Sequence, residues 1–206
     1  MKLIDISPLV HDRIPVWPGD VPFKLGKTCT FEESNLDLGF VHTTLHVGSH
    51  TDAPMHYHPN GMDIADVPLD AYYGPCQVIE VNATRGERFG WEDLRQQPKF
   101  PRILFKTGTF PDPDNWNDDF AAPEPELLQR LAAQGVVLVG FDTPSTDLFH
   151  SKGLSAHQVL FGAKMANLEG LVLADVAPGT YTLSAFPLKL RGADASPVRA
   201  VLIAKM

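Results

Sequence analysis

Little in this sequence suggests a covalent staple, a membrane anchor or a polyanionic partner. Only two cysteines occur in 206 residues. Cys29 and Cys76 form neither a CxxC pair nor a metal-knuckle spacing, so a disulfide framework is excluded and reduced thiols are expected. No apolar run approaches the roughly 20 residues needed to span a bilayer; the longest, residues 136–139 followed by Gly140 and Phe141, falls far short. The opening MKLIDISPLVHD is broken by Asp5 and Pro8, so no secretory apolar core is expected there. Positive charge is scarce as well. Seventeen Lys+Arg against 25 Asp+Glu leave a formal charge of -8, the wrong balance for sequence-independent nucleic-acid binding or an electrostatic membrane anchor. A cytoplasmic protein with no nucleic-acid partner and no membrane is the expectation.

What is present is enough apolar residue, 44% of the chain, to bury a core without staples. Sixteen glycines and 18 prolines are more than a helical bundle carries. No repeat or flexible linker divides the chain, so one domain over residues 1–206 is expected. β-Branched and aromatic stretches predict strands at residues 3–6, 40–47, 76–81, 102–107, 136–141, 171–176 and 200–204. A helix is expected from near Pro123 to a stop at Gly135, with acidic residues in its first turn. A second is expected from an S-x-x-Q capping box at Ser155 to Ala166. The proline-rich stretch 108–123 reads as a lid or irregular surface. The fold class is α/β, mixed and β-rich, with few helices.

Histidine is the anomaly. Five of the eight histidines fall within residues 42–58, where even scatter would place fewer than one. In HVGSHTDAPMHYH, His46, His50 and Asp52 are four and then two positions apart. On an extended chain, even spacings put all three on one face; a helix would turn Asp52 away, and Gly48, Val47, Thr51 and Pro54 oppose one. Two imidazoles and a carboxylate from one short segment match the ligands of zinc, manganese or iron. His157, in the first turn of the second helix, sits where the helix dipole favours the neutral, metal-binding imidazole. Glu169 enters an expected strand, where a carboxylate needs a partner. Asp142 and Asp147, flanking D-T-P-S-T-D, are read as shaping that turn. His58 is read as supporting or solvated, and nothing beyond strand parity selects His42.

HVGSHTDAPMH closely resembles the H-x-G-[ST]-H-x-D-x-P-x-H signature of the metal-dependent cyclase family, whose best-known members are bacterial kynurenine formamidases. Residues 3–20, with P-x-W-P-G-D at Pro15 to Asp20, are similar to the family's N-terminal arm. Residues 140–147 and 157–176 are similar to its C-terminal half. The resemblance implies a swivelling β/β/α fold, a homodimer, and two Zn2+ per subunit with Mn2+ as a substitute. It implies that His46, His50 and Asp52 hold one zinc. Asp52 and Glu169 bridge to a second, whose histidine is His157. His56 is implied as proton donor and acceptor, Trp17 as a wall of the substrate pocket. Ser49 stands where many members have Thr and keeps the hydroxyl. The implied reaction is hydrolysis of an aryl formamide, N-formyl-L-kynurenine, to L-kynurenine and formate by metal-activated water.

Other readings stay open on sequence alone. The same scaffold serves isatin, cyclic imides or lactones. His50-x-Asp52 with a distant histidine is also the triad of non-haem iron oxygenases. A zinc-storing module is the non-enzymatic alternative, although structural zinc sites favour cysteine. G-x-S-x-G, the turn of a serine nucleophile, is absent.

Overall fold

The computed structural model describes residues 1–204. In chain order its elements are β1 (Lys2–Asp5), β2 (Lys24–Cys29), the short α1 (Phe31–Ser34), β3 (Leu38–His42), β4 (His50–Asp52), β5 (Tyr73–Glu80), β6 (Arg88–Phe89), β7 (Arg102–Lys106) and β8 (Ala122–Pro123). They continue with α2 (Pro125–Ala133), β9 (Leu138–Phe141), α3 (Ser155–Ala163), β10 (Ala166–Leu168), β11 (Gly179–Ser184), β12 (Ala195–Pro197) and β13 (Val201–Ala204). Among the described residues no helix is long and apolar enough to cross a membrane.

A seven-stranded mixed sheet in the order β1-β13-β11-β5-β7-β9-β10 organises the molecule. β5, β7, β9 and β10 run parallel; β11, β13 and β1 extend the sheet antiparallel. The parallel strands are apolar on both faces because both faces are covered. Ile79, Ile103, Phe105, Val139 and Phe141 pack under Leu127, Leu128 and Leu131 of α2 and Ala156 and Leu160 of α3. Their neighbours Val78, Leu104 and Leu138 point the other way, onto Ile6, Leu171, Leu173 and Leu183. Each leucine buried this way contributes about 1.5–3 kcal/mol, so the face of α2 is fixed by its i, i+1, i+4 leucines.

Five sequence expectations need correction. The strand expected over 40–47 stops at His42, and residues 43–49 turn, so His46 lies on a bend and only His50 and Asp52 share a strand face. The helix expected from Pro123 begins at Pro125, with Pro123 paired in β8. The α3 helix ends at Ala163, not Ala166, because Lys164 adopts φ +53°, which frees residues 166–168 to pair with β9. Residues 171–176 are not a strand: Gly170, at φ +65°, turns the chain out of β10. The capping box is absent. Leu154, not Ser155, occupies the cap position without a side-chain bond, and Gln158 donates to the Tyr57 carbonyl.

The turn at Gly170 sets the site's geometry. Its neighbour Glu169 exchanges backbone hydrogen bonds with His50, at 3.1 and 2.9 Å, tying β4 across the end of β10. A Cβ on Gly170 would lie 2.4 Å from the Gly48 carbonyl oxygen, and the positive φ is itself unfavourable for other residues. Gly170→Ala is expected to destabilise the fold by about 1–3 kcal/mol, read as a lowered urea midpoint; an unchanged midpoint would show that the turn relaxes freely.

Candidate metal centre

The site forms where β4 crosses the carboxyl ends of the parallel strands, the place where open α/β sheets bind ligands. Asp52 and His50 come from β4, Glu169 follows β10 directly, and His157 comes from the first turn of α3. Thus residues from opposite ends of the chain meet. The His50 Nε2 atom lies 3.3 Å from Glu169 Oε2 and 3.7 Å from Asp52 Oδ1. The His157 Nε2 atom lies 3.4 Å from both Asp52 Oδ2 and Glu169 Oε1. From the turn, His46 Nδ1 approaches Asp52 Oδ1 at 3.1 Å.

In each of these imidazoles the other nitrogen is anchored. His46 Nε2 donates to Asp194 Oδ2 at 3.1 Å, His50 Nδ1 to the Gly48 carbonyl at 3.0 Å, and His157 Nδ1 to Asp147 Oδ2 at 2.8 Å. With those tautomers, all three lone pairs point at the carboxylates. Such outer anchoring is how metal-ligating histidines are oriented. The carboxylates are fixed in turn. Asn167 Nδ2 donates to Asp52 Oδ2 at 2.7 Å and to Glu169 Oε1 at 3.0 Å, while Thr146 gives Glu169 Oε1 its amide and hydroxyl hydrogens.

One atom is left over. Asp52 Oδ1 is buried and accepts no hydrogen bond. An orphaned carboxylate oxygen facing two imidazole lone pairs is an arrangement that a cation completes. Two sets of potential donors share Asp52: His46, Asp52 and His56, and His50, Asp52 and Glu169, each with ligand atoms within 4.8 Å of one another. The residues therefore fit a divalent cation.

The charges point the same way. Burial and the neighbouring Asp52 push Glu169 up, but His157 and His50 outweigh them and hold it down to about 2. Burial opposes charge on His46, yet the hydrogen bond to Asp194 and the negative charge of nearby Asp52 lift its pKa to about 10. The expectation that the α3 N-terminus keeps His157 neutral is not met by the chain alone: burial is outweighed by Asp147, Asp52 and Glu169, which raise it well above the ordinary value. These carboxylates demand cationic charge among them, from protons or from a metal.

A cavity of about 550 Å³ opens onto the cluster. Its floor holds His46, His50, His56, His157 and Glu169, and its wall holds Trp17, Phe110 and Trp116. Trp17 meets Trp116 edge to face at 5.5 Å and Phe149 at 4.9 Å between centroids. His56, ending a 3-10 turn at Pro54–His56, reaches Asp194 Oδ2 through Nδ1 at 3.3 Å. Of the remaining candidates, only Asp142 also lines the cavity. His42 is exposed at the end of β3, His58 stacks on Phe161 at 3.6 Å, and Asp142 closes the turn after β7 by accepting from Thr107 and Gly108.

The Cyclase family model matches residues 4–148. The chain belongs to the cyclase family. Among its relatives are the kynurenine formamidases of Paracidovorax citrulli, 45% identical with 97% of this chain and 95% of that one covered, and of Sphingopyxis alaskensis, 43% identical with 98% and 97% covered. Among solved structures, a Bacillus stearothermophilus protein described as a predicted metal-dependent hydrolase superposes with a TM-score of 0.81 at 27% identity, covering 98% and 97%. Isatin hydrolase A of Labrenzia aggregata gives 0.84 at 22%, covering 99% and 94%, a likeness of fold. Within this cyclase-family site, sequence reading missed Asn167, Thr146, Asp194 and Arg88. Asp194 has no local signal, since its partner His46 is 148 residues away.

Asn167 is the donor both carboxylates share, and its Oδ1 accepts the Asp52 amide. Asn167→Ala is expected to cost about 1–3 kcal/mol for each buried group left unpaired, measured by denaturant unfolding in chelator. Stability equal to wild type would show that the carboxylates find other donors.

Proposed function

We propose that this chain is a kynurenine formamidase, an amide hydrolase that converts N-formyl-L-kynurenine and water to L-kynurenine and formate. The observation that carries the reading is the convergence of His46, His50 and His157, each anchored on its outer nitrogen, upon Asp52 and Glu169, with the three imidazoles and Glu169 lining an aromatic-walled cavity. The identity to formamidases over nearly the whole chain supports the substrate class.

We take the cation to be Zn2+, two per subunit, with Mn2+ as a substitute: His46, His50 and Asp52 would hold one, and Asp52, Glu169 and His157 would hold the other. Bound there, such a cation supplies Lewis acidity that acidifies water and polarises the formyl carbonyl. The chain's own residues do the rest. Asp194 engages Nδ1 of His56, so Nε2 is the nitrogen that takes a proton from the attacking water and returns it to the departing aryl amine. One C–O bond forms, the amide C–N bond breaks, and the transferred proton makes the arylamine a competent leaving group. Trp17 faces the aryl ring, and the walls about it limit the water that reaches the reacting carbon.

Exposed Leu25, Leu38, Phe40 and Val41 on the β2–β3 hairpin support assembly as a homodimer; the cytoplasmic setting and the single domain over residues 1–206 are proposed on the sequence composition alone.

Elemental analysis is expected to find about two zinc per chain, and chelation to abolish hydrolysis of N-formylkynurenine until zinc is restored. Asp52→Ala and Glu169→Ala should lose metal as well as turnover; retention of both metals by either would overturn the assignment. His56→Ala should keep the metal and lower kcat by roughly 10² or more, and near-normal kcat would place proton transfer elsewhere. Trp17→Ala is expected to raise KM by about tenfold with little change in kcat, the pattern of lost uniform binding; unchanged kinetics would return Trp17 to a structural role. Isatin and a cyclic imide, assayed alongside, test the rival substrates.

A further inference from the structure

One fully buried charge is not used by the reaction as described. Asp147 is 0% exposed, and four donors make five hydrogen bonds to it. Its Oδ2 accepts the Nδ1 hydrogen of His157 at 2.8 Å and the amides of Ala156 and His157, both at 3.1 Å. Its Oδ1 lies 2.5 Å from Arg88 Nη2 and 3.3 Å from the Ala156 amide. The guanidinium is pinned from the other side, with Nη1 donating to the Pro123 carbonyl at 2.6 Å and Nη2 also reaching Ser155 Oγ at 3.2 Å. Arg88 thus ties β8, the loop after β9 and the start of α3 to one carboxylate.

Capping a helix does not require this. A neutral hydroxyl or amide caps as well as a carboxylate, and burying an ion pair pays a desolvation penalty that an apolar pair avoids. What a neutral cap does not supply is a charged acceptor for the His157 ring in addition to two amides. Guanidinium, with its planar fork, reaches a carbonyl, a carboxylate and a hydroxyl at once; an ammonium does not.

We propose that Arg88 and Asp147 are positioning residues of the metal centre: Asp147 fixes the ring and tautomer of His157 so that Nε2 faces Asp52 and Glu169, and Arg88 holds that carboxylate in place. The inference rests on the metal-dependent reading above. It extends that site outward by two residues, through His157 to a charge that touches neither substrate nor metal.

Cobalt(II) provides the test, because its visible spectrum reports coordination without turnover. Affinity is measured by chelator competition on protein whose fold is verified by circular dichroism. Asp147→Asn, which keeps the shape and one cap acceptor, and Arg88→Met are each expected to weaken Co2+ binding about 10–100-fold and to change the bound spectrum. Should Arg88→Met not fold, Arg88→Lys keeps the charge without the fork and is expected to weaken binding about threefold or more. In a His157→Ala background, Asp147→Asn should add less than about twofold, since its partner is gone. Wild-type affinity in folded Asp147→Asn, or a full further loss in the His157→Ala background, would overturn the proposal. A wild-type protein that binds no Co2+ would overturn the metal reading itself, and this inference with it.

Discussion

Two carboxylates, Asp52 and Glu169, are buried side by side and only partly satisfied by protein hydrogens. Removing such groups from water costs several kcal/mol each unless positive charge meets them. Much of the surrounding structure follows from that constraint. Asn167 spends both an amide hydrogen and a carbonyl on the pair, Thr146 spends its backbone and side chain on Glu169, and three imidazoles turn inward. What these neutral donors leave unmet is the share that protons or a divalent cation must carry.

The sheet makes this tolerable by holding the groups rigidly. β4 is only three residues long and contributes little alone, but it is clamped on one side by β12 and on the other by the His50–Glu169 backbone exchange. Because Glu169 leaves β10 directly, its carboxylate inherits the position of a strand packed in the parallel half of the sheet. Gly48 and Gly170, both at positive φ, let the two backbones approach where a side chain would separate them. Ser49 Oγ, which donates to the Gly170 carbonyl at 2.7 Å, closes the contact.

What could be read from the sequence was what is local in it. His46, His50 and Asp52 lie within seven residues, and their crowding is visible without any fold. Strands such as β7 and β9 were equally visible, since burial on both faces leaves a continuous apolar run. Residues 171–176 show the limit: their apolar pattern reflects genuine burial of Leu171, Leu173 and Val176, but Gly170 has already turned the chain out of the sheet. Apolar periodicity reports burial and does not distinguish a strand from a buried loop. The histidine anchors were hidden for a different reason. Asp194 acts across a gap of 148 residues and has no pattern until the topology supplies its partner, while Asp147 is visible only as a turn residue until the fold brings His157 onto it.

Exposure separates the four histidines in a way that matches the division of labour proposed for them. The side chains of His50 and His157 are 3% and 4% exposed, His46 17% and His56 34%. A ligand gains from dryness, because low dielectric strengthens its grip on a cation and keeps competing water away. A proton carrier needs the opposite, since each turnover requires it to exchange with water or product. His46 lies between the two, sharing the Asp194 carboxylate with His56 while its other nitrogen faces Asp52. The gradient from core to cavity therefore runs in the same order as the chemistry, from groups that must hold still to one that must trade protons.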